Sequence, residues 1–303
     1  MRWKLGLAMA AITGLIVVSN VAKQNSVPEI SELGKRGVVT KNIPLSVRTS
    51  LPAVPSTQRL YRLVQNKRSL VEVEKTARDL GMSGKANEID GRFMVRDGSN
   101  SLTDYGSGFW YLDEQNFAQA QKRPGLQDAN SSGAAANRIA ARFLPPGVSI
   151  VSVEHHEGKA TITDANGKED IFPIGHEFRY RLSVSGVPVV GPGAQLRVYI
   201  GANNELDAMF FAAPSLRPEK ELRIITPAAA IDRLQRRGVT ASQLADSAEV
   251  TEFDLAYYVP PIISTLDEQE TLIQPVYVMK VQVSHGDSVE TVTEYVQAAE
   301  QVD

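Results

Sequence analysis

Along EFRYRLSV, the apolar residues Phe178, Tyr180, Leu182 and Val184 alternate with Glu177, Arg179, Arg181 and Ser183. This is the two-residue period of a strand with one wet face. In SLVEVEKTARDLGM, by contrast, Leu70, Val73, Ala77 and Leu80 recur at spacings of three and four, and Gly81 follows as a terminator, which predicts an amphipathic helix. From Tyr61 onward the two periods take turns, predicting three successions of a helix followed by strands. The first helix leads into FMVRDG, a turn at Asp97 and Gly98, and GSGFWYLDE. The second, SGAAANRIAARFLPPG, has alanine-rich helix propensity and runs into Pro145 and Pro146; SIVSVEHH, EFRYRLSVSG, AQLRVYIG and ELDAMFF come after it. The third, TPAAAIDRLQRRG, has Thr226 as its N-cap, Pro227 at its first helical position and Gly238 at its end. Its strands are VTEFDLAYYV, LIQPVYVMKVQV and SVETVTEYV.

The glycine-rich run VSGVPVVGPGAQLRVYIG, Val184 to Gly201, invites a second reading as a phosphate-cradling loop. Such a loop needs a helix after its glycines, so that free amides face the anion. Here a further strand follows. Ser185 and Gly186 suit a tight reversal, Gly191, Pro192 and Gly193 a second corner, and Asn203 and Asn204 a third. The glycines therefore read as bends of an antiparallel meander.

The beginning of the chain has neither period. Arg2 and Lys4 precede an uncharged, mostly apolar run from Leu5 to Val18, and Ser19 and Asn20 follow it. This is the form of an export signal or a retained membrane anchor, and the preceding positive charges place the rest of the chain outside the cytoplasm. Lys23 to Gln58 then carries Pro28, Pro44, Pro52 and Pro55 without sustained periodicity. It reads as an extended tether, with an edge-strand arm through VVTKNIPLSV as the alternative. The expected organisation is 1–22 signal peptide or anchor, 23–58 tether, 59–125 first helix-plus-sheet unit, and 126–215 and 216–303 second and third units.

Composition narrows the function classes. With 303 residues, 43% hydrophobic and 22% charged, the chain is globular and long enough for two or three modest cores. Its 32 basic and 35 acidic residues leave a formal net charge of −3, which gives no field to draw phosphate backbones, so no nucleic-acid partner is expected. There is no cysteine, hence no disulfide, thiolate metal site or thiol nucleophile.

The four histidines, His155, His156, His176 and His285, lack a helical metal spacing. In HHE, strand alternation lets His155 and Glu157 share a face while His156 points away, and a solvated strand end accounts for all three. GSGFW around Ser107 lacks the elbow of a nucleophilic serine. No catalytic, cofactor or metal residue is therefore assigned. Large amphipathic side chains near strand ends are the candidates for an interface: Trp110 and Tyr111, and Tyr257 and Tyr258 before Pro260 and Pro261. Neighbours on a strand face opposite ways, so one ring of each pair is expected in the core. Arg233, Arg236 and Arg237 read as solvated cations at a helix C-terminus.

The phrases RYRLSVSGVPVVGPGAQLRVYIGANNELDAMF, TPAAAIDRLQRRG, FDLAYYVPP and LIQPVYVMKVQV, together spanning about a third of the chain, resemble PepSY-type modules of exported bacterial proteins. Among these are the propeptide modules of thermolysin-like proteases and the membrane-anchored YycH and YycI regulators of a cell-wall histidine kinase. The resemblance implies an α+β protein of repeated helix-plus-antiparallel-sheet (PepSY/cystatin-like) units after an N-terminal apolar helix. It also implies an extracytoplasmic, non-enzymatic role without cofactors: restraint or adjustment of a protein partner such as a protease or sensor kinase. A cell-envelope module for a glycan or small ligand is the alternative, with a pocket lined by Trp110, Tyr257 and Tyr258.

Overall fold

The structure is a computed structural model that describes residues 39–64, 68–106, 108–117, 125–163, 168–241, 245–260 and 272–300. Two short strands come first, β1 (Val39–Lys41) and β2 (Leu45–Val47), then β3 (Thr57–Leu63) and α1 (Leu70–Asp79). Four strands follow: β4 (Ala86–Ile89), β5 (Arg92–Asp97), β6 (Asn100–Asp104) and β7 (Gly108–Asp113). Helix α2 (Ala129–Ala141) leads into β8 (Val148–Thr163), β9 (Glu169–Val184), β10 (Val187–Val190), β11 (Gln195–Ile200) and β12 (Leu206–Ala212). The last part holds β13 (Leu216–Arg223), α3 (Pro227–Arg237), β14 (Val239–Ala241), β15 (Ser247–Tyr258), β16 (Leu272–Ile273), β17 (Pro275–His285) and β18 (Ser288–Gln297).

Local chemistry explains the element ends. Ser69 caps α1 in a capping box with Glu72, Asp128 accepts from the amides of Asn130 and Ser131 at the start of α2, and Thr226 accepts from the Ala229 amide at the start of α3. Each accepted bond satisfies an amide that the helix itself leaves open. Helix α2 begins three residues before the expected Ser132 and ends well before the two prolines. Ser185 and Gly186, both at positive φ, turn β9 into β10, and Asn203 and Asn204, also at positive φ, turn β11 toward β12. The meander reading of the glycine-rich run is the observed one.

Thirteen strands form one mixed sheet in the order β18-β17-β15-β10-β9-β11-β12-β7-β6-β5-β4, with β2 beside β15 and β8 beside β9. Most neighbours are antiparallel, but β10 meets β15 in parallel (Val189 opposite Tyr257, Val190 opposite Tyr258), as does β2 (Leu45 opposite Ala248). A separate three-stranded sheet has the order β13-β3-β16, and β1 pairs with β14. Residues 39–47, inside the stretch expected as a tether, are thus two short strands on the body, with Ile43 in its core.

The expectation of repeated helix-plus-antiparallel-sheet units is corrected by this arrangement. Among the described residues 55% are in strands and 16% in helices, and the strands following different helices merge into one mixed sheet. The reason lies in β10. It borders the end of β9 through Val187 and Pro188, then borders β15 through Val189 and Val190, so that two antiparallel arrays become continuous. Alternation along a strand reports its wet and dry faces; it carries no record of which edges meet. The apolar run expected as an N-terminal helix lies outside the described residues. No helix among the described residues is long and apolar enough to cross a membrane.

One face of the sheet is buried. Leu102, Phe109, Tyr111, Met209, Phe211, Leu196, Val198, Phe178, Tyr180 and Leu182 join α1, α2 and the β3 edge in one core. Phe253, Tyr277, Met279 and Val281 form a second core with Ala230 and Leu234 of α3. Tyr257 ties the small sheet down: its ring meets Tyr61 edge-on at 5.2 Å and its hydroxyl donates to the Arg59 carbonyl at 2.8 Å. The arginines of α3 do more than face solvent. Arg233 donates to the Gln297 carbonyl at 3.2 Å and Arg237 to the Tyr295 carbonyl at 2.8 Å and the Glu294 carboxylate at 2.5 Å, anchoring the helix on β18.

Candidate functional site

The opposite face of the sheet carries no helix among the described residues, and its side chains follow from the same alternation. Opposed residues share a face in an antiparallel pair. Trp110 is opposite Thr103 on β6 and Phe210 on β12; Phe210 is opposite Arg197 on β11; Arg197 is opposite Arg179 on β9; and Arg179 is opposite Glu154 on β8. A single row thus runs over six strands, from a small polar side chain through two aromatic rings to two arginines and then a glutamate. Residues one step along, Phe109, Phe211 and Phe178 among them, point into the core.

The rings form a connected patch. Trp110 lies 5.7 Å from Phe210 in a tilted arrangement and 6.5 Å from Phe117, edge-on, while Phe117 meets Tyr199 edge-on at 5.3 Å. Such pairs add about 0.5–1.5 kcal/mol each beyond area burial. All four rings are half-buried: held by neighbours, yet reachable from outside. Large rings in this state lose little conformational freedom on contact, which is why aromatics dominate recognition hot spots.

Beside the patch lies an ion network centred on Glu177. Arg179 donates to both its carboxylate oxygens at 2.9 and 2.8 Å, the Tyr199 hydroxyl donates at 2.9 Å, and Arg197 stands at 3.9 Å. Burial pushes the Glu177 carboxyl up, but the hydrogen bonds from Arg179 and Tyr199 and the two guanidinium charges outweigh it and hold the group below the usual glutamate range. Burial first, and then the bond to Glu177, pushes the Tyr199 phenol up.

Where the two arrays join, an open cleft of about 330 Å³ is lined by Glu154, Arg179, Arg181, Glu252, Asp254, Lys280 and Tyr295, among others. Its charges are matched: Arg181 donates to Asp254 at 3.1 Å and Lys280 pairs with Glu252 at 2.7 Å. These pairs are exposed, worth about 0–1 kcal/mol each, so they can be exchanged for partner contacts at little cost. On the far side of the cleft, Tyr258 and Tyr295 meet edge-on at 5.2 Å. Among the described residues no group of three or more His, Asp or Glu side chains is placed to hold a metal ion.

The sequence-predicted interface residues divide between the two faces. Trp110 and Tyr258 are half-buried on the open face, whereas Tyr111 (4% exposed) and Tyr257 (1% exposed) lie in the core. Pro260 is half-buried next to the end of β15; Pro261, like Ser107, lies outside the described residues. Trp110, Tyr257 and Tyr258 do not converge on one pocket: Trp110 belongs to the Phe210 patch, Tyr258 to the Tyr295 pair and Tyr257 to the β3 contact. Phe210, Tyr199, Arg197 and Tyr295 were not singled out from the sequence. Alternation alone assigns Glu177 and Arg179 to a wet face, but their meeting with Arg197 and Tyr199 depends on the β9–β11 register. No protein-family model matches the chain, and no curated protein matches it.

Proposed function

We propose that this is a non-enzymatic binding protein that engages a protein partner on the open face of its sheet. The observation that carries the reading is the half-buried aromatic patch of Trp110, Phe210, Phe117 and Tyr199 set directly beside the Glu177-centred ion network, on a face that no helix covers among the described residues. Aromatic anchors next to a polar, mutually satisfied surround is the anatomy of a protein-recognition surface. Trp110 and Phe210 are the anchors; Glu177, Arg179 and Arg197 set orientation through hydrogen bonds. The sequence supports an extracytoplasmic setting, either secreted or anchored through the apolar run at Leu5 to Val18. The resemblance of Phe178 to Val283 to exported regulatory modules supports a partner that is itself extracytoplasmic, such as a protease or sensor kinase, which this protein restrains or adjusts.

The test is site-specific photocrosslinking in the envelope of the producing cell. A photoreactive phenylalanine analogue at Phe210 is expected to capture one dominant protein, and the same probe at Val71, an exposed position on α1, is expected not to. The reading is abandoned if both positions capture the same mixture, or if capture at Phe210 persists undiminished when Trp110 and Arg197 are both replaced by alanine.

A further inference from the structure

Away from the open face, two histidines meet at the point where the β8–β9 hairpin carries α2. His176 is 5% exposed and both its ring nitrogens are engaged: Nε2 lies 2.9 Å from the Gln127 carbonyl oxygen and Nδ1 lies 2.9 Å from Nε2 of His155. A carbonyl only accepts, so His176 carries its proton on Nε2. Its Nδ1 must then accept, and His155 donates to it from Nε2. Gln127 immediately precedes Asp128, the N-cap of α2, so this chain of bonds ties the start of the helix to β9 and through it to β8.

The arrangement limits how many protons the pair can hold. A first added proton goes to Nδ1 of His155, the one basic nitrogen left, and no bond is broken. A second has only Nδ1 of His176, which faces an N–H of His155; two donors then confront each other, and two cations stand with ring centroids 5.1 Å apart.

We propose that the His155–His176 pair is a proton-operated latch on the N-terminal turn of α2, closed while the pair carries at most one added proton and released by the second. His155 is exposed, but His176 is buried, so a second charge on the His176 ring is not solvated in place, and the positive end of the α2 dipole further disfavours a cation there. The other charged groups nearby do not cancel this. Glu157, opposite His176 in the β8–β9 register, favours the cation but is already paired with Lys159 at 3.1 Å. Asp128, whose carboxylate accepts from the α2 amides, attracts a cation on His176, His156 on the other face opposes one on His155, and Glu177 alternates onto that other face. In keeping with this geometry, burial first and then the His176 charge hold His155 below the ordinary histidine range, with Glu157 acting the other way.

Hydrogen exchange on the full chain, corrected for the intrinsic rate at each pH, tests the latch. From about pH 7.5 to 5, protection of the first turn of α2 (Asn130 to Ser132) is expected to fall, approaching about tenfold per pH unit at the acid end, the slope of one extra proton taken up on opening. His176→Gln keeps a donor for Gln127 and an acceptor for His155 but does not titrate, and should abolish the response. Asp128→Asn should leave it intact, separating the latch from titration of the cap. If His176→Gln does not fold, His155→Leu serves: it leaves His176 free to take a proton without opposition, and should also flatten the profile. A wild-type profile without pH dependence in this turn, or either histidine variant tracking the wild type, overturns the proposal.

Discussion

The carbonyl oxygen of Val259 lies 2.4 Å from where a Cβ on Gly191 would stand, and Gly191 has φ +101°. Here β10 gives way to β11 as β15 ends, and the Gly193 amide donates to the same carbonyl at 3.2 Å. A side chain at position 191 would push apart the strands that join the two arrays. Gly191→Ala is therefore expected to cost about 2–4 kcal/mol, the sum of left-handed strain and a backbone clash. Gly186→Ala, with φ +79° but open space around it, should cost only the strain, about 1–2 kcal/mol. Urea denaturation of the two variants checks the contrast.

Trp110 and Tyr111 differ by one position and face opposite ways. Tyr111→Ala should destabilise by about 3–5 kcal/mol, as loss of a core aromatic does. Trp110→Ala should cost less than half of that while removing the anchor of the open face. Thermal melts read the first effect and partner binding the second. Equal losses of stability would show that Trp110 serves packing, and the proposed docking surface would lose its main support.

Replacing Glu177 by glutamine should weaken the fold by about 1–3 kcal/mol near neutral pH, because Arg179 and Tyr199 lose a charged acceptor. The pH dependence follows from the lowered carboxyl pKa. A folded value below the unfolded one gives stability that is complete above the ordinary glutamate range near about 4.3 and is lost as pH falls through the folded value. The gap between wild type and Glu177→Gln should accordingly close below about pH 4. Denaturation midpoints from pH 7 down to 3 measure this.

Tyr277 is fully buried and its hydroxyl donates to the Ile225 carbonyl, just before the α3 N-cap, at 2.6 Å. Tyr277→Phe fills the same space but leaves that carbonyl without its donor, so a loss of about 1–3 kcal/mol is expected. Exchange protection should fall first in Ala229 and Ala230 at the start of α3, which amide exchange resolves.

The helices were readable from the chain because their information is local. Leu70, Val73, Ala77 and Leu80 mark the first helix by their spacing, and Thr226 with Pro227 and Gly238 announce the ends of the third by chemistry that acts within three or four residues. Ser185-Gly186 and the Asn203-Asn204 pair did the same for turns. The sheet order was not readable, because the parallel contact of Val190 with Tyr258 joins segments 68 positions apart through a four-residue strand with no distinguishing pattern. Phe210 was missed for the same reason: it stands beside Phe211 in the chain as Trp110 stands beside Phe109 and Tyr111, and what marks it out is its place opposite Trp110, which strand register alone decides.

Strand β8 offers sixteen residues of backbone whose outer side has no strand partner among the described residues, with Val151, Val153 and Ile162 exposed along it. Such a rim is a template on which other chains can grow, and no proline interrupts it. Glu154, His155, His156, Glu157 and Lys159 sit at its middle, where an incoming chain would have to bury them. The charges of Glu154, Glu157 and Lys159 thus oppose the addition of a further strand to this rim, and replacing the three by apolar residues is expected to favour edge-to-edge association.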